Sequence, residues 1–388
     1  MKAILGGRLI VPDTNGEFYE ISGHALLYEQ KIARIVRSAE ISADERASFE
    51  TVIDANGNYV APGFINVHIH GAMGCDAMDD EEGAVPSIAR HQASTGVTSF
   101  LPTTMTSPMP KINRALSRIR DAMGRDTGGA RVLGAHMEGP FINSTACGAQ
   151  DAAHILPADF SLFEPFLDVV KLITVAPETT PGSSFFIRAC KEKGVVVSVG
   201  HSAADYDTAL RLFSKEGVDH VTHLFNGMPA FHHRTPGLVG AALESGADCE
   251  LIADNIHSHP MAHRLLWNMK QGKHIVLITD SMRATGLGDG ESELGGQKVF
   301  VKNGEARLTD GSLAGSVLTM DRAVANFEKN TACGIPAAVA CATRNAAESI
   351  GLGKGIGSLE PGKQADITIF DEKIQIKKTI VGGKIVFG

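Results

Sequence analysis

The feature that most restricts the fold of this chain is a change of texture along it. Eight short apolar, β-branched runs lie at 65–70, 98–102, 132–138, 169–175, 195–200, 220–223, 250–253 and 274–280. Between them are stretches whose apolar residues recur at helical spacing, such as Ile112-Asn113-Arg114-Ala115-Leu116-Ser117-Arg118-Ile119. Continuous apolar runs of this length, bounded by turn residues, read as buried strands. Eight strand-then-helix units in roughly 290 residues fit a (β/α)8 barrel, which typically takes about 250. A doubly wound open sheet competes, but no G-x-G-x-x-G turn follows the first strand. The expected class is therefore α/β, with a TIM-like barrel over residues 62–357.

The two ends read differently. Residues 1–61 hold the β-prone runs Ala3-Ile4-Leu5, Leu9-Ile10-Val11, Ala25-Leu26-Leu27-Tyr28, Ile32-Ala33-Arg34-Ile35-Val36 and Thr51-Val52-Ile53-Asp54. Asp13, Asn15-Gly16 and Asn56-Gly57 punctuate them as turns. Residues 358–388 have the same texture, with Ala365 to Phe370, Ile374-Gln375-Ile376 and Lys378 to Val386 as candidate strands. Chain termini commonly meet in space. Both ends together are expected to build one small β-sandwich domain.

Composition narrows the functional classes. The formal net charge is −8 with no long basic run, which excludes a nucleic-acid backbone binder but not a local anion site. The six cysteines are scattered without a CxxC pair, so reduced thiols and a cytoplasmic location are expected. Cys147 lies in a glycine-containing loop but has no evident base to activate it. Arg8 and Pro12 interrupt the N-terminal apolar run, and no other stretch is long enough to span a membrane.

A barrel carries its active site at the C-terminal ends of its strands. The first run ends in His68-Ile69-His70, whose imidazoles share one face of a strand. Glu138 closes the third run, His201 follows the fifth, His223 closes the sixth and Asp280 the eighth. Buried carboxylates and imidazoles are costly unless paired or coordinated. A pair of packed histidines would account for His68 and His70 alone. Six such groups converging at one end of a barrel point to metal. Imidazole and carboxylate donors suit Zn, Fe, Mn or Ni, and a bound divalent ion acidifies water from about 15.7 towards about 7.

These residues carry a resemblance. Ala61-Pro62-Gly63-Phe64-Ile65-Asn66, Glu138-Gly139-Pro140-Phe141, Gly200-His201-Ser202, His223-Leu224-Phe225-Asn226-Gly227-Met228, Thr279-Asp280, Gly311 to Ser316 and Gly353 to Asp366 together resemble the amidohydrolase superfamily over essentially the whole length. Within it they resemble the branch that deacetylates N-acetylglucosamine 6-phosphate. The resemblance implies Glu138, His201 and His223 as ligands of the main metal, and Asp280 as the acid/base residue. Members keeping His-x-His hold two metals. His68 and His70 therefore imply a second ion, with Glu138 as the bridge and zinc as the first choice for both sites. It further implies substrate contacts from Ala149, Gln150, Asn226, Gly227, Arg234, His257, Leu313, Ala314 and Gly315. Some relatives have a sugar-binding histidine where this chain has Gln150, a hydrogen-bonding but uncharged replacement. In relatives the arginine equivalent to Arg234 crosses a subunit interface, implying a homodimer. The expected partner is a phosphorylated amino sugar, with no nucleic acid or membrane. Alternatives are an N-acetylgalactosamine 6-phosphate or cyclic-amide hydrolase and a non-catalytic assembly scaffold. His136 reads as support for Glu138 or as packing. His24, His91, His154, His220, His232, His233, His259, His263 and His274 read as surface or structural, and Trp267 as core.

Overall fold

The computed structural model describes all 388 residues. Its centre is a parallel barrel of strands β1 (Phe64–Ile69), β2 (Val97–Thr104), β3 (Ala135–Glu138), β4 (Val170–Val175), β5 (Val196–Val199), β6 (His220–Val221), β7 (Asp248–Ile252) and β8 (Ile275–Ile278). Each strand pairs in parallel with the next. β8 returns to β1 through a parallel bridge between Ile69 and Ser281, where Asp280 N–H donates to the His68 carbonyl at 3.0 Å. All eight expected strands are present. The barrel interior and its helix-facing side are packed with buried apolar residues such as Val67, Leu101, Met137, Ile173, Val199, Leu251 and Leu277.

Two units depart from strict strand–helix alternation. Between β3 and β4 there is no α-helix, only four short 3-10 turns from Ser144 to Phe166. Asn143, Asp151 and Asp159 each accept a hydrogen bond from the backbone N–H two residues on, satisfying turns rather than starting a helix. After β8 the chain forms a three-stranded antiparallel sheet, Gly290–Leu294, Gln297–Lys302 and Glu305–Leu308, before the helix Met320–Thr331. Both insertions lie over the end of the barrel where the strands finish.

The chain ends form two sheets. One is four-stranded, in the order Ile32–Arg37, His24–Tyr28, Lys2–Leu5 and Thr51–Asp54. The other is six-stranded and contains Arg8–Pro12, Phe18–Ile21 and Tyr59–Pro62 from the start of the chain with Ile367–Phe370, Ile376–Val381 and Lys384–Phe387 from its end. Ile4, Leu9, Leu26, Val60, Ile367 and Ile380 fill the layer between them. Gly63 passes the chain from this sandwich into β1. A Cβ there would sit 2.1 Å from Thr98 Cγ2, so only glycine lets the strands close. Across the junction Phe370 packs on Tyr59 and Phe64, and Arg131 makes a bidentate pair with buried Asp366.

Candidate metal-dependent active site

The six chemically loaded residues do converge. His68 and His70 sit on and just after β1, Glu138 ends β3, and His201, His223 and Asp280 follow β5, β6 and β8. His201, His223 and Asp280 all adopt left-handed backbone, with φ of 47°, 31° and 49°. That conformation is costly for a residue with a Cβ, and such strain collects at functional sites. It ends each strand abruptly and leaves the side chain in the barrel mouth. Gly227 lies against the same cluster: at φ +58°, a Cβ on it would stand 2.9 Å from His201 Nδ1.

Glu138 is the hub. Its Oε1 lies 3.1 Å from His223 Nε2, 3.2 Å from His201 Nε2 and 3.4 Å from His68 Nε2. Its Oε2 lies 3.2 Å from His70 Nε2. Asp280 Oδ1 faces His70 Nε2 at 3.2 Å and His68 Nε2 at 3.4 Å. The outer nitrogens explain what the inner ones must be. His68 Nδ1 faces Glu250 Oε2 at 2.8 Å, His70 Nδ1 the Thr103 carbonyl at 3.2 Å, and His201 Nδ1 the Ala146 carbonyl at 2.9 Å. Those partners only accept, so each Nδ1 donates. A neutral ring then turns an Nε2 lone pair towards the Glu138 carboxylate. His223 Nε2 and His201 Nε2 also lie 3.0 Å apart, and buried His68 Nε2 has no hydrogen-bond partner. Lone pairs converging on a carboxylate fit a cation between them. The donor atoms of His68, His70 and Glu138, and those of Glu138, His201 and His223, each lie within 4.8 Å of one another, so both sets could hold a divalent metal.

By themselves the carboxylates favour protonated rings, a demand for positive charge that a metal held by neutral rings would meet instead. Burial alone would lower His68, but Glu250, Glu138 and Asp280 outweigh it and hold the ring well above its ordinary value. Burial is likewise overcome at His70, pushed up to about 10 by Asp280 and Glu138, and at His201, raised by Glu138. Burial would raise Glu138, yet the surrounding imidazoles hold it well below the usual carboxylate range. Asp280 is drawn down in the same way, to about 2, by His68 and His70. This is a site with a deficit of positive charge.

A cavity opens over the cluster. His70, Glu138, His201, His223 and Asp280 form its floor, and Ala149, Gln150, Asn226, Gly227, His257, Leu313 and Gly315 line its walls. His257 is held by Asp254, with Nδ1 at 2.6 Å from Oδ2, and this contact raises it against the opposing effect of burial. Two of the expected substrate contacts lie elsewhere. Ala314 packs its side chain with Met282, Leu294 and Met105 beneath the inserted sheet and donates its N–H to Ala306. Arg234 is exposed on the loop after β6 and does not line the cavity of its own chain. Gln150 lines the cavity, but its amide is engaged. Oε1 accepts from Thr106 N–H at 2.7 Å and Nε2 donates to Glu138 Oε2 at 2.7 Å.

The pattern of the amidohydrolase family matches residues 59–386. The chain belongs to the amidohydrolase family. This amidohydrolase is 39% identical over 334 residues to N-acetylglucosamine-6-phosphate deacetylase of Bacillus subtilis (strain 168), covering 84% of each chain. It is 36% identical over 340 residues to N-acetylgalactosamine-6-phosphate deacetylase of Escherichia coli O157:H7, covering 86% of this chain and 89% of that one. The crystal structure of N-acetylglucosamine-6-phosphate deacetylase from Thermotoga maritima superposes with a TM-score of 0.86 at 32% identity, covering 99% of each chain.

The amidohydrolase site also contains residues that sequence reasoning passed over. Met105, Gly148 and Leu294 complete the cavity lining. Glu250, fully buried on β7, meets His68 from behind. His136 is buried within the barrel, with Nδ1 on the Val67 carbonyl at 3.2 Å and Nε2 on Thr174 Oγ1 at 2.7 Å. Both of its nitrogens are committed, which gives it a structural place rather than a free ligand atom. Burial lowers it to about 3, so it stays neutral.

Proposed function

We propose that the chain hydrolyses the N-acetyl group of N-acetylglucosamine 6-phosphate, yielding glucosamine 6-phosphate and acetate. The observation that carries this reading is Glu138 shared among four imidazoles, with Asp280 across the same mouth. The relatives named above supply the substrate class. Glu138, His201 and His223 would hold one divalent metal, and His68, His70 and Glu138 a second, so that Glu138 serves both sets. Zinc is the first choice, and iron, manganese or nickel fit the same donors. When bound, the metal supplies Lewis acidity to the amide carbonyl and to water.

The remaining steps belong to the chain's own residues. Asp280, ionised at neutral pH, accepts a proton from the attacking water on Oδ1. It returns that proton to the departing nitrogen as the C–N bond breaks, so one carboxylate serves as base and then acid. Asn226 and Gly227 lie beside His223 and orient the sugar. His257, held by Asp254, donates to a sugar oxygen. The six thiols are unpaired, which suits a reducing cytoplasm. No helix is long and apolar enough to cross a membrane. In this reading the protein is a homodimer in which Arg234 enters the partner's cavity and grips the sugar phosphate with its planar fork.

The test is acetate release by metal-loaded protein from N-acetylglucosamine and its galacto epimer, each with and without the 6-phosphate. Arg234→Ala is assayed alongside. The reading expects the phosphorylated gluco substrate to have the highest kcat/KM, and the advantage of the phosphate to shrink in Arg234→Ala. Equal kcat/KM with and without phosphate would refute the substrate. Absence of acetate from all four would refute the reaction. A preference for the galacto epimer would move the assignment to that sugar.

A further inference from the structure

We infer that Glu250 is a positioning residue that builds the His68/His70 half of the metal centre; the inference rests on the two-metal reading above. Glu250 lies on β7 with no solvent exposure. A carboxylate so buried requires partners. Its Oε2 takes two: the Nδ1–H of His68 at 2.8 Å and the backbone N–H of His223 at 3.1 Å. Its own main-chain carbonyl accepts the N–H of Leu224 at 2.8 Å. One residue thus grips a ring in one candidate metal set and the turn that carries a ligand of the other.

The two grips differ in kind. At His223 Glu250 holds only backbone, steadying the left-handed turn at φ 31°. At His68 it holds the imidazole itself and fixes the tautomer, so the Nε2 lone pair points into the mouth. The other inner rings have weaker supports or, at His223 Nδ1, none. His70 and His201 give their Nδ1–H to neutral carbonyls of Thr103 and Ala146. His68 alone is backed by an anion, and a carboxylate behind an imidazole raises its basicity towards a metal. His68, His136 and Glu250 are also close enough to suggest a metal site of their own. That alternative is poor, because both His136 nitrogens and His68 Nδ1 are already bonded. Glu250 is therefore a support for a ligand, not a ligand.

The test separates the two metals. Apoprotein of the wild type, Glu250→Gln and Glu250→Ala is titrated with Zn²⁺ against a competing chromophoric chelator. Bound zinc is counted by elemental analysis, and thermal unfolding of each apoprotein checks the fold. Glutamine keeps an oxygen for His68 Nδ1–H but removes the charge, whereas alanine removes both. One of the two zinc constants, that of the His68/His70 site, should fall by about 10- to 100-fold in Glu250→Ala, the range typical of such outer partners. Glu250→Gln should fall between it and the wild type. The other constant should change less in both variants. Equal weakening of both sites, or unchanged constants, would overturn the inference. Should the alanine variant fail to fold, the glutamine variant decides, and an unchanged ratio of its two constants counts against the inference. A wild type that takes up only one zinc would remove the two-metal reading, and this inference with it.

Discussion

Asp280→Asn is the sharpest perturbation of the proposed chemistry. Asparagine has nearly the same shape and tolerates left-handed backbone, so the φ of 49° at this position adds no strain. The bond from its N–H to the His68 carbonyl at 3.0 Å does not involve the side chain and should persist. What is lost is a carboxylate that the neighbouring imidazoles hold down at about 2 despite burial. In the wild type it is ionised at neutral pH, the state in which it can take up a proton. A positioned acid or base contributes about 10² to 10⁴. Asp280 is proposed to serve in both proton transfers, so a fall in kcat of about 10³ is expected, or about 4 kcal/mol of barrier. Its Oδ1 also faces His68 and His70 but lies outside the Glu138–His201–His223 set. The zinc of the latter set should therefore be retained. The assay is steady-state acetate release beside elemental analysis and thermal unfolding of the same preparation. A variant that keeps its metal and fold and turns over within about tenfold of wild type would refute Asp280 as the proton carrier.

Three further outcomes follow from the same contacts. Gln150→Ala should lower turnover and metal retention by freeing Glu138 Oε2, while the ratio of kcat/KM for the gluco and galacto epimers stays constant; a changed ratio would restore Gln150 as a sugar contact. Asp254 is held low and His257 high by their mutual contact, each against burial. The stabilisation from a raised histidine is complete below about pH 6.5 and fades as pH rises through its folded value, while that from a lowered aspartate is lost as pH falls below about 4. Asp254→Asn should therefore lower the apoprotein's Tm more at pH 6 than at pH 9, and an equal deficit at both would count against the pair. Lys270, almost fully buried, gives its ammonium to the carbonyls of Ala242, Ser245 and Ala247 at 2.7, 2.6 and 3.0 Å, closing the end of the helix Gly237–Glu244. Lys270→Met should cost about 3 kcal/mol in urea unfolding, since charged hydrogen bonds are lost and carbonyls are left without a partner; a loss below about 1 kcal/mol would show that water replaces them.

The barrel was legible because strands buried on both faces are apolar without interruption, and the intervening helices keep their own period. Its six central residues were legible because catalytic groups on this architecture stand at strand ends, where His68, Glu138 and Asp280 already stood in the sequence. The inserted sheet after β8 falls outside the eight-unit pattern, although its signals are present in the sequence. Lys298-Val299-Phe300-Val301-Lys302 alternates, and Gly295-Gly296 and Asn303-Gly304 flank it as hairpin turns. Ala314, a substrate contact implied by the resemblance of Gly311 to Ser316, packs its side chain beneath this sheet, while its neighbours Leu313 and Gly315 line the cavity.

Glu250 and Gln150 were hidden for a different reason. A glutamate opening an apolar run looks like a solvated strand start, and a glutamine in a glycine-containing loop looks like a wall of the pocket. Their roles depend on partners 182 and 12 residues away, His68 and Glu138, which no local pattern encodes. The candidate ligands can be read from their positions on the barrel. The residues that aim those ligands are set by which strand lies next to which, and that is decided only when the barrel closes. Glu250 reaches His68 because β7 and β1 flank β8 across the seam of the barrel, so the support for the first strand's histidine is contributed by nearly the last. The same seam brings Asp280 onto the His68 carbonyl. Closure of the barrel and assembly of the candidate metal sets are therefore one structural event, and a change that loosens the seam should disturb the His68–His70–Glu138 set before the Glu138–His201–His223 set.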